Sequence, residues 1–273
     1  MTHLSDAKAV DVTVIIPIYK TELQPHEQAA LKQMGSMFVD RDVAFVCPET
    51  LDVTPLEGFM RSNWRVERFD PNFFAGRKGY NRLMLSEELY QRFERSAYLL
   101  VCQTDVWIFE DRLDEWCSLG YDYIGAPWLP ASGEVSGWNL LQRGGYQVRR
   151  LWGRVKPGFH PINLKWKVGN GGFSLRKVDA MLGVIRSHRD VVNQIVEQGD
   201  HVECFEDVFW GVGVNQRWPG TLQIPDAKTA AQFAVEGHPD MAMHLTDGQL
   251  PMGAHAFQKR RNYKFWRKYI TIE

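Results

Sequence analysis

The chain has few cysteines, almost no net charge and no long apolar run. Its four cysteines are scattered through 273 residues without Cys-x-x-Cys spacing, which argues against a disulfide framework or a zinc knuckle and indicates free thiols in a reducing compartment. The formal net charge of -1 gives no overall attraction to nucleic acid. Membrane spans need about 18 apolar residues in a row, and none occurs. The first residues, Met1 to Asp11, are polar and lack a signal core. We therefore expect a soluble cytoplasmic protein.

Common phosphate-binding motifs are missing as well. Neither Gly-x-x-x-x-Gly-Lys-Ser/Thr nor Gly-x-Gly-x-x-Gly is present, and there are no internal repeats, low-complexity tracts or obvious linkers. A chain of this length can bury one large core. We predict a single domain over residues 1–273.

The N-terminal part alternates strands and helices. Residues 12–18 are almost all apolar and mostly β-branched, which is typical of a strand buried on both faces. Further patterns predict a helix over 25–37, strands over 43–46 and 64–69, a long helix over 78–93 and a strand over 98–102. This alternation favours a three-layer α/β architecture. Such sheets bind ligands at the carboxyl ends of their strands, which here carry residues 17–20 and 103–105.

The pattern becomes less regular after Asp105. Residues 121–124 predict a strand and residues 125–128 a turn. Residues 130–161 are rich in Gly, Arg and Trp and show no periodicity. A loop of that length in a compact domain is usually functional or mobile, and we interpret it as an acceptor-side flap.

Two later segments indicate a site. Residues 168–176 form a glycine-rich turn that leads into a strand-like run, so backbone can approach a ligand closely. Residues 203–211 place Glu206 and Asp207 at the start of an aromatic helical stretch, where the helix dipole favours ionised carboxylates. These carboxylates are candidates for a base, a metal ligand or a hydroxyl-binding group. The alternative is an acidic first turn that only caps the helix.

Asp105 follows an apolar strand directly. A carboxylate there is well placed to bind a hard divalent cation that neutralises phosphates. An Asp that caps the amides of a turn explains the same position equally well.

Taken in order along the chain, these segments resemble GT-A-type glycosyltransferases. The resemblance rests on residues 12–20, Gln103-Thr104-Asp105, residues 123–128, residues 169–176, the Glu206–Asp207 pair and the late run 251–257. More narrowly, the chain resembles a bacterial family of uncharacterised glycosyltransferase-like proteins. The resemblance implies a GT-A-like three-layer α/β/α sandwich with a Rossmann-like nucleotide-binding half and a central mixed sheet. Residues 12–105 would form the nucleotide-binding half, 106–257 the acceptor and catalytic half, and 258–273 a basic aromatic tail.

The resemblance also implies a bound Mn²⁺ or Mg²⁺ ion. GT-A enzymes hold the cation with an Asp-x-Asp motif, and the matching run here is Gln103-Thr104-Asp105. The last acid, Asp105, keeps the role of metal ligand, whereas Gln103 can at best contact ribose or sugar. The matching late histidine is His255. A histidine without such a context is more often structural.

The matching position for the general base is the acidic pair. In inverting GT-A enzymes an acid at the start of a late helix deprotonates the acceptor hydroxyl, so the resemblance assigns this role to Asp207. Glu206 would bind hydroxyls of the acceptor or donor. Retention of configuration is the alternative, because the sequence does not show which face the acceptor approaches.

Residues assigned to the donor come from both halves. Pro17, Tyr19 and Glu22 would hold the base and ribose by resemblance, with Thr104 beside them. The cationic and amide groups of Lys78 and Asn81 would meet phosphate or base edges, with Arg77 as a weaker candidate. Gly171 and Gly172 would let the donor sugar approach.

The run 258–270 contains six basic residues, four aromatic residues and no acid. It fits either a helix packed on the domain or a peripheral contact with an anionic membrane surface, and nucleic acid is the least expected partner.

The sequence thus predicts a metal-dependent, inverting glycosyltransferase with a nucleotide-diphosphate sugar donor and a glycan or lipid-linked acceptor, acting in bacterial surface glycan synthesis. One alternative is a non-catalytic protein that binds carbohydrate or nucleotide sugar on the same fold, supported by Gln103 in place of an acid. Another is a metal-dependent hydrolase that uses His244, Asp247 and His255.

Overall fold

The computed structural model describes residues 11–61, 64–131, 163–198 and 204–272. The predicted flap over 130–161 lies almost wholly outside these ranges. Nine strands occur among the described residues: β1 (Val12–Pro17), β2 (Asp42–Pro48), β3 (Trp64–Phe69), β4 (Tyr98–Cys102), β5 (Val106–Ile108), β6 (Tyr123–Gly125), β7 (Phe173–Lys177), β8 (Ala234–Val235) and β9 (Gly253–His255).

Helices of the described ranges pack around these strands. They are α1 (Pro25–Met37), α2 (Gly76–Met84), α3 (Glu87–Arg92), α4 (Leu113–Ser118), α5 (Val178–Ser187), α6 (Arg189–Gln198), α7 (Glu206–Val208), α8 (Val214–Arg217), α9 (Ala227–Phe233), α10 (Pro239–Leu245) and α11 (Arg260–Trp266). A π-helical turn over Phe209–Gly213 joins α7 to α8, and short 3-10 turns cover Thr54–Phe59 and Pro71–Phe74.

Six strands form a mixed sheet in the order β3-β2-β1-β4-β7-β6. The four strands from β3 to β4 are parallel, whereas β7 is antiparallel to both β4 and β6. The β4–β7 ladder pairs Leu100 with Leu175, so segments from both halves of the chain share one sheet.

Apolar side chains cover both faces of this sheet. In β1, Val14 and Ile16 join one core together with Leu31 of α1. The side chain between them, Ile15, joins a second core together with Leu89 of α3. The β-branched run that predicts a strand buried on both faces therefore forms one, and the three-layer α/β/α arrangement with a mixed central sheet is confirmed.

The remaining strands form a small second sheet in the order β5-β9-β8. Here β5 is antiparallel to β9, with Val106 opposite His255, and β8 is parallel to β9, with Val235 opposite Ala254. This sheet brings together three distant parts of the chain.

Two local predictions are wrong. The long helix predicted over 78–93 is two helices, because Ser86 takes an extended conformation and its hydroxyl accepts a hydrogen bond from the Leu89 amide at 3.1 Å. Such an N-cap starts a new helix. The predicted turn over 125–128 continues β pairing instead, since Gly125 pairs with Ser174 and Pro127 forms a bridge with Val168.

The four cysteines are buried and none is in a disulfide bond, as the sequence predicts. Across the described part of the chain, no helix is both long and apolar enough to span a bilayer.

Candidate active site

A cleft opens where β1 and β4 end. These parallel strands are neighbours at the point where the strand order turns: β2 and β3 follow beside β1, whereas β7 and β6 follow beside β4. Ligands commonly bind at the carboxyl ends of strands at such a point. The cleft has a volume of about 560 Å³. The residues that line it are Pro17, Tyr19, His26, Glu27, Phe74, Gly76, Arg77, Tyr80, Gln103, Thr104, Asp105 and Gln258.

Five of the predicted donor residues line this cleft. Pro17 and Tyr19 come from the end of β1, and Gln103, Thr104 and Asp105 follow β4. The Tyr19 ring is 62% exposed, so it is free to stack on a planar ligand.

Three other predicted donor residues point elsewhere. Lys78 donates to the Glu197 carbonyl at 3.2 Å, and its neighbour Arg77 lines the cleft in its place. Glu22 is exposed outside the lining. Asn81 is buried, and its side-chain oxygen accepts the Glu206 amide at 3.3 Å. Asn81 therefore binds the first backbone amide of α7 and does not face the cleft.

A carboxylate that sequence reasoning missed, Glu27, joins the two strand ends. It accepts hydrogen bonds from the Lys20 ammonium at 2.8 Å and the Thr104 hydroxyl at 3.2 Å. Burial opposes its ionisation, but these donors and the Gln24 amide lower the pKa of Glu27 below its ordinary value. Gln24 and Glu27 form a capping box at the start of α1. The sequence carries only half of its usual signal, the Glu at the third helical position, because Gln24 stands where Ser, Thr, Asp or Asn is usual.

The two predicted metal ligands meet at the inner end of the cleft. The His255 Nε2 atom lies 3.2 Å from the Asp105 Oδ1 atom and 3.2 Å from the Gln103 Oε1 atom. Neighbouring ligands of an octahedral cation at 2.0–2.1 Å lie roughly 3 Å apart. The two distances from His255 Nε2 therefore fit neighbouring ligands of one cation.

The small sheet brings these groups together. Asp105 directly precedes β5, and His255 ends β9, opposite the first residue of β5. Gln258, from the run considered as a membrane contact, donates to the Asp105 Oδ2 atom at 3.2 Å. Burial opposes ionisation of Asp105, but the bonds from His255 and Gln258 lower its pKa to about 2. Asp105 is thus an ionised carboxylate that accepts hydrogen bonds from His255 and Gln258.

In the described ranges, no three His, Cys, Asp or Glu side chains cluster as metal ligands. The chain offers one carboxylate, one imidazole and one amide oxygen. Magnesium-like ions commonly take only one or two carboxylates from a protein and complete their shell with phosphate oxygens and water. This donor set fits a Mn²⁺ or Mg²⁺ ion shared with a diphosphate.

Several buried polar atoms around the cleft lack a hydrogen-bond partner. They are the Tyr80 hydroxyl, Asn81 Nδ2, Asn170 Oδ1, His255 Nδ1 and Gln258 Oε1. Buried polar atoms normally have partners. Their concentration here is typical of a site shaped for a polar ligand.

Glu236, which the sequence does not single out, lies on the other side of His255. Its Oε1 atom is 3.8 Å from His255 Nδ1 and 3.2 Å from Lys259 Nζ. Asn170 of the glycine-rich turn donates to its second oxygen. Glu236 reaches His255 only because it directly follows β8, so no local sequence pattern predicts its position.

The glycine-rich turn lies between the predicted metal ligands and the acidic helix. A Cβ atom on Gly172 would come within 2.3 Å of His255 Nε2, and one on Gly171 within 1.7 Å of Glu206 Oε1. The protein's own side chains therefore already require both glycines. Approach of a donor sugar to this turn stays a prediction.

Glu206 is buried against Arg176. Its Oε2 atom lies 2.9 Å from the Arg176 Nη2 atom, and Arg176 also donates to the Gly171 carbonyl and the Tyr90 hydroxyl. Arg176 and Glu206 are 0% and 3% exposed. The pair fixes the glycine-rich turn to the start of α7.

Asp207, the predicted base, is half-buried beside this pair. The predicted stabilisation of both ionised acids by the helix dipole is outweighed by burial. Burial raises the pKa of Glu206 to about 7, although Arg176 favours its ionised form. Burial also raises the pKa of Asp207, helped by the charge of Glu236 and opposed by the amides of Val208 and Gly171. A carboxyl with a raised pKa is a better proton acceptor once ionised.

The set proposed for a hydrolase does not assemble. The Asp247 side chain is 85% exposed and lies 3.6 Å from Lys228, and the described residues hold no three-ligand cluster that includes His244 and His255.

The C-terminal run packs partly on the domain. Trp266 and Ile270 are buried, whereas Tyr263 and Tyr269 are 37% and 46% exposed and all six basic residues are exposed or half-exposed. One face of α11 thus belongs to the core.

Comparisons with known proteins agree with this architecture. Residues 63–255 match the model of a family described as "Protein of unknown function (DUF5672)". No curated protein matches the chain.

Solved structures of similar fold include three proteins named as glycosyltransferases or as one type of them. An active-site mutant of LgtC has a TM-score of 0.51 at 16% identity, covering 89% of this chain and 86% of that one. Mouse xyloside xylosyltransferase 1 has a TM-score of 0.50 at 13% identity, covering 90% and 97%. The glycosyltransferase GlyE of Streptococcus pneumoniae TIGR4 has a TM-score of 0.51 at 11% identity, covering 95% and 60%. At such identities the likeness shows the fold, which is that of GT-A glycosyltransferases.

Proposed function

The chain belongs to the DUF5672 family of proteins of unknown function, and we propose that it transfers a sugar from a nucleotide-diphosphate donor to a hydroxyl acceptor. The observation that carries this proposal is the meeting of Asp105, Gln103 and His255 at the inner end of the cleft. Asp207 lies on the other side of the glycine-rich turn from these three residues. A cation site next to a proton acceptor is what displacement of a diphosphate by a hydroxyl requires.

On the donor side, the cleft would hold the nucleotide. Tyr19 would stack on the base near the end of β1, and Arg77 would meet a phosphate or the base edge. Asp105 and His255 would bind the Mn²⁺ or Mg²⁺ ion, with Gln103 beside them. The cation supplies positive charge that stabilises the leaving diphosphate.

On the acceptor side, Asp207 would take the proton of the attacking hydroxyl. Glu206 is held by Arg176 and is almost fully buried, so in this proposal it positions the start of α7 and does not bind a hydroxyl. Attack on the face opposite the diphosphate would invert the anomeric configuration.

The acceptor we propose is a glycan or a lipid-linked sugar in bacterial surface glycan synthesis. The exposed basic residues of 258–270, with Tyr263 and Tyr269 among them, suit an anionic membrane surface. A cytoplasmic location against the inner face of the membrane fits this acceptor, and no nucleic acid partner is expected.

Replacing the base tests the proposal directly. We expect Asp207→Asn to lower kcat for sugar transfer by about 10²–10⁴-fold, because general-base catalysis contributes that much, with nucleotide-sugar binding unchanged. Transfer by the wild type should fall as the pH drops through the raised pKa of Asp207, because the carboxylate must be ionised to accept a proton. Transfer is followed by chromatography with a panel of nucleotide sugars and sugar acceptors.

Two outcomes would separate parts of this proposal. Full activity of Asp207→Asn would remove Asp207 as the base. A product with the donor's anomeric configuration, measured by NMR, would reject inversion and leave sugar transfer intact.

A non-catalytic nucleotide-sugar binder is the second candidate. It is favoured by Gln103, an amide where the related motif has an acid, because one fewer carboxylate weakens a cation site. Tight binding of a nucleotide sugar with no transfer or hydrolysis of any donor in the panel would support it.

A further inference from the structure

We propose that Glu236 is a positioning residue for His255: its carboxylate accepts a hydrogen bond from the Nδ1–H group of the neutral imidazole, which keeps the proton on Nδ1 and leaves the Nε2 lone pair for a divalent cation. This inference rests on the cation of the proposed function and adds a residue that no sequence motif assigns.

The small sheet sets the position of Glu236. Val235 is paired with Ala254 in parallel strands, so the next residues along the two strands, Glu236 just after β8 and His255 at the end of β9, lie side by side. The His255 Nδ1 atom is buried without a hydrogen-bond partner, and the Oε1 atom of Glu236 lies 3.8 Å from it. A short approach of the two side chains would close this gap to a hydrogen bond.

The two ring nitrogens of His255 face different groups. Nε2 faces Asp105 and Gln103 at 3.2 Å, whereas Nδ1 faces Glu236. A cation held with Asp105 needs the Nε2 lone pair, so the neutral imidazole must carry its proton on Nδ1. Glu236 is the carboxylate placed to accept a hydrogen bond from this Nδ1–H group. Metal-binding histidines generally donate their second ring N–H to such a group, which fixes the tautomer and the ring.

Glu236 is itself held in place. The Asn262 side chain donates to the Glu236 carbonyl at 2.6 Å and to the Ala256 carbonyl at 3.1 Å, so one amide of α11 ties down the backbone beside both partners. Asn170 donates to the Glu236 carboxylate from the glycine-rich turn. A partner fixed at backbone and side chain can orient an imidazole.

Lys259 provides a matched control. Its ammonium lies 3.2 Å from the Glu236 carboxylate, but its side chain is 62% exposed. An exposed ion pair contributes little. If Glu236 served only to pair with Lys259, substituting either residue would have the same small effect.

The experiment measures Mn²⁺ binding to the full chain by electron paramagnetic resonance of free Mn²⁺, alone and with UDP or GDP as probes. We expect Glu236→Gln to weaken Mn²⁺ binding by about 10–100-fold, as for other partners of metal-binding histidines. Lys259→Met should change it by less than about fivefold. Thermal unfolding without metal checks that each variant is folded.

A second readout does not depend on any Glu236 variant. In the wild type loaded with Zn²⁺, a diamagnetic ion that binds imidazole, ¹⁵N NMR should show His255 protonated at Nδ1, with the signal assigned by its loss in His255→Gln. A proton on Nε2 would overturn the inference.

The remaining outcomes distinguish this inference from the proposed function. If Asp105→Asn abolishes Mn²⁺ binding while Glu236→Gln retains wild-type affinity, the positioning role is wrong and the cation site stands. If the wild type binds no Mn²⁺ with or without UDP or GDP, both are overturned.

Discussion

At the scale of single residues, the Arg176–Glu206 ion pair is the feature of the site in which both charged partners are buried. Removing Arg176 takes away the charge and the hydrogen bonds that stabilise the buried Glu206 carboxylate, which must then stay charged without a partner or bind a proton. We expect Arg176→Met to lower the free energy of unfolding by about 3–5 kcal/mol, measured by equilibrium denaturation in urea. Substituting both partners by Met should restore much of that loss, because two apolar side chains leave no charge unpaired.

Arg186 is a suitable control for this substitution. It pairs with Glu87 at 2.8 Å, but its side chain is 49% exposed, so Arg186→Met should cost less than about 1 kcal/mol. Equal losses for Arg176→Met and Arg186→Met would show that the buried pair is not needed for the fold.

At the scale of elements, the glycine-rich turn lies between the proposed metal ligands and the acidic helix. A methyl group on Gly172 would collide with His255 Nε2 and Cε1 at 2.3 and 2.4 Å and approach Gln103 Oε1 at 2.9 Å. These atoms belong to side chains, so the buried imidazole must move and the backbone can stay. We expect Gly172→Ala to remain folded and to weaken Mn²⁺ binding at least tenfold, measured as for Glu236.

Another glycine shows what the same change does without a collision. Gly183 is exposed in α5, and a Cβ atom there meets nothing within 4 Å. Gly183→Ala should raise the free energy of unfolding by about 0.5–1 kcal/mol and leave Mn²⁺ binding unchanged. Wild-type Mn²⁺ affinity in Gly172→Ala would contradict the close contact with His255.

The turn also shows how far local sequence can lead. Its glycines predict close approach of a ligand, which stays a prediction, and the strand that follows is where the pattern places it. The groups that the structure shows against these glycines are brought there by tertiary structure: His255 and Glu206 approach from other strands and helices. The sequence therefore predicts that these positions have no room for a side chain, but it does not identify the groups that lie against them.

At the scale of the whole molecule, the sequence predicts the parallel part of the sheet better than the remainder. Strands β1, β2 and β4 are mostly apolar runs, and β3 alternates apolar and charged residues over its first four positions, so all four patterns show in the sequence. The small sheet consists of strands of two or three residues, too short for any period. Yet that sheet brings together Asp105, Glu236 and His255. Glu236, which no sequence pattern indicates, directly follows β8, the shortest of these strands.

Because the cleft lies where both halves of the chain meet one sheet, ligand binding should stabilise the whole fold. A ligand at about 100 times its Kd adds about 2.7 kcal/mol to the free energy of unfolding. For a chain of this size each kcal/mol raises Tm by roughly 2–4 °C. We therefore expect a nucleoside diphosphate with Mn²⁺ to raise Tm by about 5–10 °C, measured by differential scanning fluorimetry with UDP, GDP and ADP.

The cation should be necessary for most of this shift. Asp105 and His255 would hold the ion that faces the diphosphate, so chelation with EDTA or the Asp105→Asn substitution should remove most of the rise in Tm while the metal-free Tm changes little. A nucleotide whose stabilisation is indifferent to both would still occupy the cleft, but it would reject Asp105 as the residue that binds the cation. Comparison among the three nucleotides then identifies the base that Tyr19 and its neighbours accept.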